Sequence, residues 1–179
     1  MSRLFGTYRQ NGYIVDDLEK AIEYWTEKMG VGPFFLLPSI ALGEFSYRGS
    51  TVKPVLDIAL ANFGDVQIEL IQPKDDTPSP YRDFLRSKGP GLHHISVWSD
   101  NFDDHLRRLG DLGLRPDCTG QIEGGPRFCY FDAAETRGTT IEIADSALET
   151  GLRDIAAKIH AASVGWDGSD PVRDASQLK

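Results

Sequence analysis

The sequence predicts an α+β fold of two βαβββ modules sharing one cupped, mixed sheet, with a C-terminal helix and polar tail appended. Three observations predict it. The pattern strand, capped helix, then short strands occurs twice. The second occurrence registers on the first at an offset of 84 residues. Each occurrence alone has about one helix to cover its sheet, so the two must share surface to build a core.

The first module spans residues 1–75. Gln10 to Val15 alternates as a strand does, and Asp16 or Asp17 then offers a carboxylate to the free N–H groups of a helix start. Leu18, Ala21, Ile22, Trp25 and Met29 make one apolar stripe at helical spacing, and Gly30 with Gly32-Pro33 ends the helix. Phe34 to Leu37, Glu44 to Tyr47, Val52 to Ala61 and Val66 to Ile71 read as strands between Gly, Pro and Asn turn signals.

Residues 76–90 form a connector, part of a Pro-, Asp- and Lys-rich stretch in which Tyr81, Phe84 and Leu85 suggest one short helix. Residues 91–145 repeat the pattern: Leu92 to Trp98 as strand, Asp100-Asn101-Phe102 as helix start, a helix to about Leu112, Gly113 as terminator, then Phe128 to Phe131 and Thr139 to Ile143. The 84-residue offset lays Gln10 on His94, Asp16 on Asp100 and Asp17 on Asn101, and an offset of 83 lays Gly30 on Gly113 and Pro33 on Pro116. In residues 146–179, Leu148, Leu152, Ile155, Ile159 and Ala162 predict an amphipathic helix, followed by a turn-rich tail in which Trp166 is expected to tuck against the body.

Composition narrows the function. With 27 Asp+Glu against 19 Lys+Arg the net charge is -8, and there is no block of consecutive basic residues, which argues against nucleic acid or an anionic membrane as partner. No segment approaches the roughly 18 apolar residues of a membrane span, and the start lacks the apolar core of a secretory leader, so a cytoplasmic protein is expected. Cys118 and Cys129 are too few and too far apart for a disulfide framework or a metal knuckle. They are expected to be reduced, partly buried thiols.

Alternation along strands sorts the chemistry-bearing residues by face. Gln67 and Glu69 oppose the apolar Val66, Ile68 and Leu70. Glu142 opposes Ile141 and Ile143; His94, Ser96 and Trp98 oppose Ile95 and Val97; Gln10 and Gly12 oppose Asn11 and Tyr13. Four strands thus each place one metal-competent or acid–base side chain opposite their more apolar face.

With these residues in view, the sequence resembles the vicinal oxygen chelate superfamily, the fold of glyoxalases, bleomycin-resistance proteins and extradiol dioxygenases. The resemblance covers about residues 7 to 145. It rests on the strand-to-helix stretch from Gly12 through Asp16-Asp17-Leu18, on Val66-Gln67-Ile68-Glu69-Leu70-Ile71-Gln72-Pro73, on Gly91-Leu92-His93-His94-Ile95-Ser96-Val97 and on Thr140-Ile141-Glu142-Ile143. The Gly-Leu-His-His-Ile segment and the turn Val31-Gly32-Pro33-Phe34-Phe35 look most like methylmalonyl-CoA epimerase and its glyoxalase-like relatives. The resemblance implies a divalent metal (Zn, Co, Ni, Mn or Fe) held by Gln10, Glu69, His94 and Glu142. Gln10 stands where epimerases usually carry His, and the Gln, Glu, His, Glu set is similar to that of zinc-type glyoxalase I. It implies a metal-dependent isomerase, epimerase or lyase that moves a proton next to a metal-bound carbonyl, with Glu142 as base and Glu69 as its partner. A small carbonyl compound, an acyl-CoA or 2-oxo compound, is the implied substrate, and a homodimer the implied assembly. Glu44 is the one rough candidate for a separate epimerase-type base. A ring-cleaving dioxygenase of the same fold and a metal-free binding or resistance protein remain alternatives.

The other candidates have plainer readings. His93 shares its face with Ile95 and Val97 and reads as structural; His105 and His160 read as helix-surface residues. Gly124-Gly125-Pro126-Arg127 reads as a hairpin before an anion site, and Lys74, Arg82, Arg86 and Lys88 as solvated charge.

Overall fold

The computed structural model describes residues 2–40, 42–134 and 136–178. β1 (Tyr8–Ile14) leads into α1 (Leu18–Glu27), whose first turn is capped by the Asp17 carboxylate accepting from the Lys20 amide at 3.1 Å. The chain continues through β2 (Phe34–Ile40), β3 (Leu42–Tyr47), β4 (Ser50–Thr51), β5 (Leu56–Phe63) and β6 (Val66–Pro73). The connector carries α2 (Pro80–Lys88), with the Ser79 hydroxyl as N-cap and Pro80 in the first turn. The pattern then repeats as β7 (Gly91–Ser99), α3 (Phe102–Asp111), β8 (Cys118–Ile122), β9 (Arg127–Phe131) and β10 (Thr140–Asp145). Asn101 caps α3, accepting from the Asp104 amide at 3.3 Å, so the two module helices are capped at positions 84 residues apart. α4 (Leu152–Ser163) and β11 (Val172–Asp174) follow.

All described strands join one sheet in the order β11-β2-β5-β6-β1-β7-β10-β9-β8-β3-β4. β1 and β7 lie antiparallel at its centre, with β6 parallel to β1 and β10 parallel to β7. The register carries the internal repeat. Gln10 faces Ser96 and Gly12 faces His94 across the central pair, as a two-fold axis relating positions 84 apart requires. The flanking pairs agree: Gly12 faces Glu69 on β6, and its counterpart Ser96 faces Glu142 on β10. The pseudo-dyad therefore exchanges Gln10 with His94 and Glu69 with Glu142.

Both module helices cover the convex face. Leu18 and Ile22 of α1 bury against Ala59, Ala61, Ile68 and Leu70; Phe102 and Leu109 of α3 bury against Val97, Cys129, Phe131 and Ile143. The two thiols are buried and unpaired with each other, and burial pushes both upward from the ordinary thiol range. The concave face is filled at one end by Ile14, Phe45, Ile71, Tyr81, Phe128 and Tyr130.

Several expectations need correcting. Met29 lies beyond the end of α1 and is exposed. β5 starts at Leu56 rather than Val52, because Pro54 cannot donate to the ladder. β3 lies at the far edge of the sheet, between β4 of its own module and β8 of the second. β8, the two-residue β4 and the three-residue β11 add to the strands that the sequence pattern predicts. In α4, Ala156 and Ile159 are buried whereas Ile155 is exposed, and the Leu148 side chain lies outside the described residues. Trp166 does tuck inward: its ring covers Gly32 so closely that a Cβ there would meet it at 2.7 Å, and its Nε1 donates to the Ser169 carbonyl.

Candidate active site

The central strands bring His94, Glu69 and Glu142 together on the concave face. His94 Nε2 lies 3.5 Å from Glu69 Oε2 and 3.8 Å from Glu142 Oε2. The imidazole is fully buried, and Nε2 has no hydrogen-bond partner. A buried ring nitrogen left between two carboxylates is costly unless something binds it. Gly12 makes the room, since a Cβ there would overlap the His94 ring. Gln10 sits on the same face, one strand over, with its Nε2 donating to Gln67 Oε1 at 2.8 Å.

Charge and burial compete at this cluster. Burial pulls the His94 pKa down, but the two carboxylates outweigh it and the net shift is upward. Burial pushes the Glu142 carboxyl up, Glu69 adds to the rise, and His94 counteracts it. Both shifts express the same demand, for a cation among these side chains.

His93 departs from its expected place. Gly12 pairs with His94 and Tyr13 with Leu92, so His93 is the extra residue of a β-bulge. The bulge turns its ring from the convex face toward Tyr81, Phe84 and Tyr130. There His93 Nδ1 meets His94 Nδ1 at 2.9 Å. Burial, then His94 and Lys88, hold His93 well below the ordinary imidazole range, so it is neutral. A divalent ion at Nε2 would require the His94 proton on Nδ1, donated to His93, in place of the imidazolium that the two carboxylates favour. This positioning role escapes sequence reading because a one-residue bulge breaks the alternation on which the face assignment rests.

The remaining candidates fall away from the cluster. Glu44 is exposed on β3, on the side opposite the buried Phe45 and Tyr47. His105, expected at the surface, is buried with Nε2 2.8 Å from the Leu4 carbonyl; its spacing from Phe102 and Leu109 on α3 is the available signal. His160 is half-buried on α4, 3.6 Å from Asp65. Residues 124–127 form the β8–β9 hairpin, and Arg127 is held by Asp103 and Asp145. Lys74 pairs with Asp57 and Arg86 with Asp76; Arg82 donates to the Asp75 carbonyl, and Lys88 lies over the Phe84 ring.

Among the described residues no group of three or more His, Cys, Asp or Glu forms a preassembled metal cluster. The donor chemistry nevertheless fits a divalent ion. Nitrogen and oxygen ligands sit about 2.0–2.2 Å from such a metal, which puts neighbouring donors roughly 3 Å apart. The two separations around His94 Nε2 exceed that by less than an ångström, a difference that side-chain rotation can close.

Comparison with known proteins agrees with this fold. The sequence profile described as "Glyoxalase/Bleomycin resistance protein/Dioxygenase superfamily" matches residues 9–130. The uncharacterized protein YqjC of Bacillus subtilis (strain 168) is 28% identical over 103 residues, covering 56% of this chain and 73% of that protein. A hypothetical protein of Bacillus halodurans C-125 superposes with TM-score 0.59 at 17% identity, over 78% of this chain and 94% of that one. Methylmalonyl-CoA epimerase from Mycobacterium tuberculosis superposes with TM-score 0.56 at 22% identity, over 82% and 92%. A variant of the Streptomyces coelicolor epimerase, in complex with 2-nitronate-propionyl-CoA, gives 0.56 at 18% identity, over 79% and 95%.

Proposed function

Because the chain belongs to the glyoxalase/bleomycin resistance protein/dioxygenase superfamily, we propose that it is a divalent-metal-dependent isomerase, epimerase or lyase moving a proton next to the carbonyl of a small substrate. The observation that carries this reading is the orphaned His94 Nε2 between two pseudo-symmetric carboxylates.

A divalent ion held by His94 Nε2, Glu69 and Glu142, with the Gln10 amide as fourth donor, supplies Lewis acidity toward the substrate carbonyl oxygen and stabilises negative charge developing there. The proton work belongs to the chain. Oε2 of each glutamate faces His94. Glu142 is buried beside His94, where its carboxylate is placed to take a proton from carbon. As the C–H bond breaks, its electron pair moves toward the carbonyl and the proton goes to Glu142. Glu69, related by the pseudo-dyad, returns a proton from the other side. Two opposed carboxylates suit a reaction that removes a proton at one position or face and restores it at another.

Incubation of metal-replete protein in D2O with 2-oxo acids and acyl-CoA thioesters tests this by mass spectrometry. Deuterium is expected at the carbon next to the carbonyl, and Glu142→Gln is expected to slow incorporation by about 10²–10⁴-fold. Metal-replete protein that binds these compounds without exchanging them would identify a binding protein instead.

A further inference from the structure

α4 does not cover the convex face as α1 and α3 do. Its Ile159 packs on Phe35 and Leu60, whose side chains belong to the concave side, so the helix roofs the open end of the cup. The Arg153 Nε and Nη2 to Asp100 Oδ1 contacts, at 2.9 and 2.6 Å, and the Ser146 hydroxyl to Asp100 at 3.0 Å tie it down. Beneath it lies a cavity of about 500 Å³ lined by Tyr8, Arg9, Asn62, Gln67, Trp98 and Arg153, among others. That volume suits a metabolite-sized molecule.

Two features give the cavity a chemistry. The first is a row of unpartnered polar atoms on the concave face. Asn62 Oδ1 lines the cavity, Ser96 Oγ lies one residue pair inward from Trp98, and His94 Nε2 lies one pair further. Each belongs to a side chain more than nine-tenths buried. Buried polar atoms without partners mark places where a bound molecule belongs. The second is a pair of arginines, Arg9 and Arg153, on a lining that also holds the exposed Asp65 carboxylate and His160. Arg9 makes no ion pair or hydrogen bond among the described residues, and Arg153 keeps Nη1 free after its bonds to Asp100 and the Ser146 carbonyl.

We propose that this cavity is the anchoring subsite for a small carboxylate-bearing carbonyl substrate, gripped at its anionic end by Arg9 and Arg153 beneath α4. The carbonyl end then points past Ser96 toward His94, and Asn62 Oδ1 accepts from a hydroxyl or amide N–H of the ligand. The Gln67–Gln10 hydrogen bond joins the cavity floor to the donor set. The substrate class rests on the metal-site reading, whereas anion binding in the cavity stands apart from it.

The test uses the full-length protein stripped of metal with EDTA, titrated calorimetrically with malonate and with its neutral isostere malonamide. Malonate is expected to bind at least about tenfold more tightly, because two charge-assisted guanidinium–carboxylate hydrogen bonds are worth that margin. Arg9→Gln and Arg153→Gln are each expected to remove that preference. Arg9→Gln breaks no bond of the native protein, so its result holds even if Arg153→Gln loosens α4. His94→Ala is expected to leave malonate affinity unchanged while abolishing metal uptake by the untreated protein. Equal affinity for the two probes, or a preference surviving Arg9→Gln, overturns the anion subsite. Metal uptake unaffected by His94→Ala overturns the metal reading and leaves the subsite standing.

Discussion

The two ends of the concave face are treated in opposite ways. At the end under α2, Tyr81 is buried against Ile14, Ile71 and Tyr130, and its hydroxyl lies 3.2 Å from that of Tyr130. At the end under α4 there is a cavity, with Asn62 Oδ1 buried and without a partner. Each end has a helix for a roof, yet the α2 end is largely filled by its aromatic plug, leaving about 220 Å³ beside Phe84, His93 and Tyr130, whereas the α4 end covers about 500 Å³. A fold stabilises itself by filling space and satisfying polar groups, so the end that does neither is the one kept for a ligand.

Breaking the plug is expected to cost most. Tyr81→Ala empties the aromatic cluster and should lower stability by about 3–5 kcal/mol, read as a shift of the urea midpoint. A change under about 1 kcal/mol, the range of surface substitutions, would mean that α2 is a loose cover rather than a plug. Gly12→Ala comes next. Its methyl overlaps the His94 ring, so about 1–3 kcal/mol of stability and most bound metal should be lost together. Retention of full metal content by this variant would contradict the placement of His94. His93→Phe keeps the aromatic contacts and removes only the acceptor for His94 Nδ1. It is expected to weaken metal affinity by about 10–100-fold with an unchanged urea midpoint, and equal affinity would show that the bulge does not position His94.

The smallest effect is on pH dependence. Burial comes first among the causes that lower both His93 and His105, with neighbouring cations adding to it. Both rings therefore stay neutral in the folded chain at a pH where the unfolded chain takes up protons, near the ordinary imidazole value of about 6.5. Stability is accordingly full above that value and falls as pH drops through it toward the lower folded values. His105→Gln is expected to flatten this fall, measured as urea midpoints from about pH 5 to about pH 8; an unaltered slope would remove His105 from the account.

The donor set is legible in the sequence because Glu69, His94 and Glu142 lie on strands whose alternation places them on one face, and because the 84-residue offset is also the register of the central strand pair. What escapes has local physical reasons. Cys118-Thr119-Gly120-Gln121-Ile122 holds a glycine where a strand pattern wants a side chain; the Phe128 ring fills that space, and a Cβ at Gly120 would strike it. Pairing of β3 with β8 is a choice between distant partners that no local pattern encodes. The helix of the tail is legible, but its apolar stripe does not say which face of the sheet it covers. That placement, on the concave side, is what makes the two ends of the cup differ.

The most direct measurement of the central claim is the metal content of purified protein, determined by elemental mass spectrometry beside that of His94→Ala. The account predicts about one divalent ion per wild-type chain and none in the variant, with both folded by circular dichroism. Equal metal content in the two proteins would contradict it.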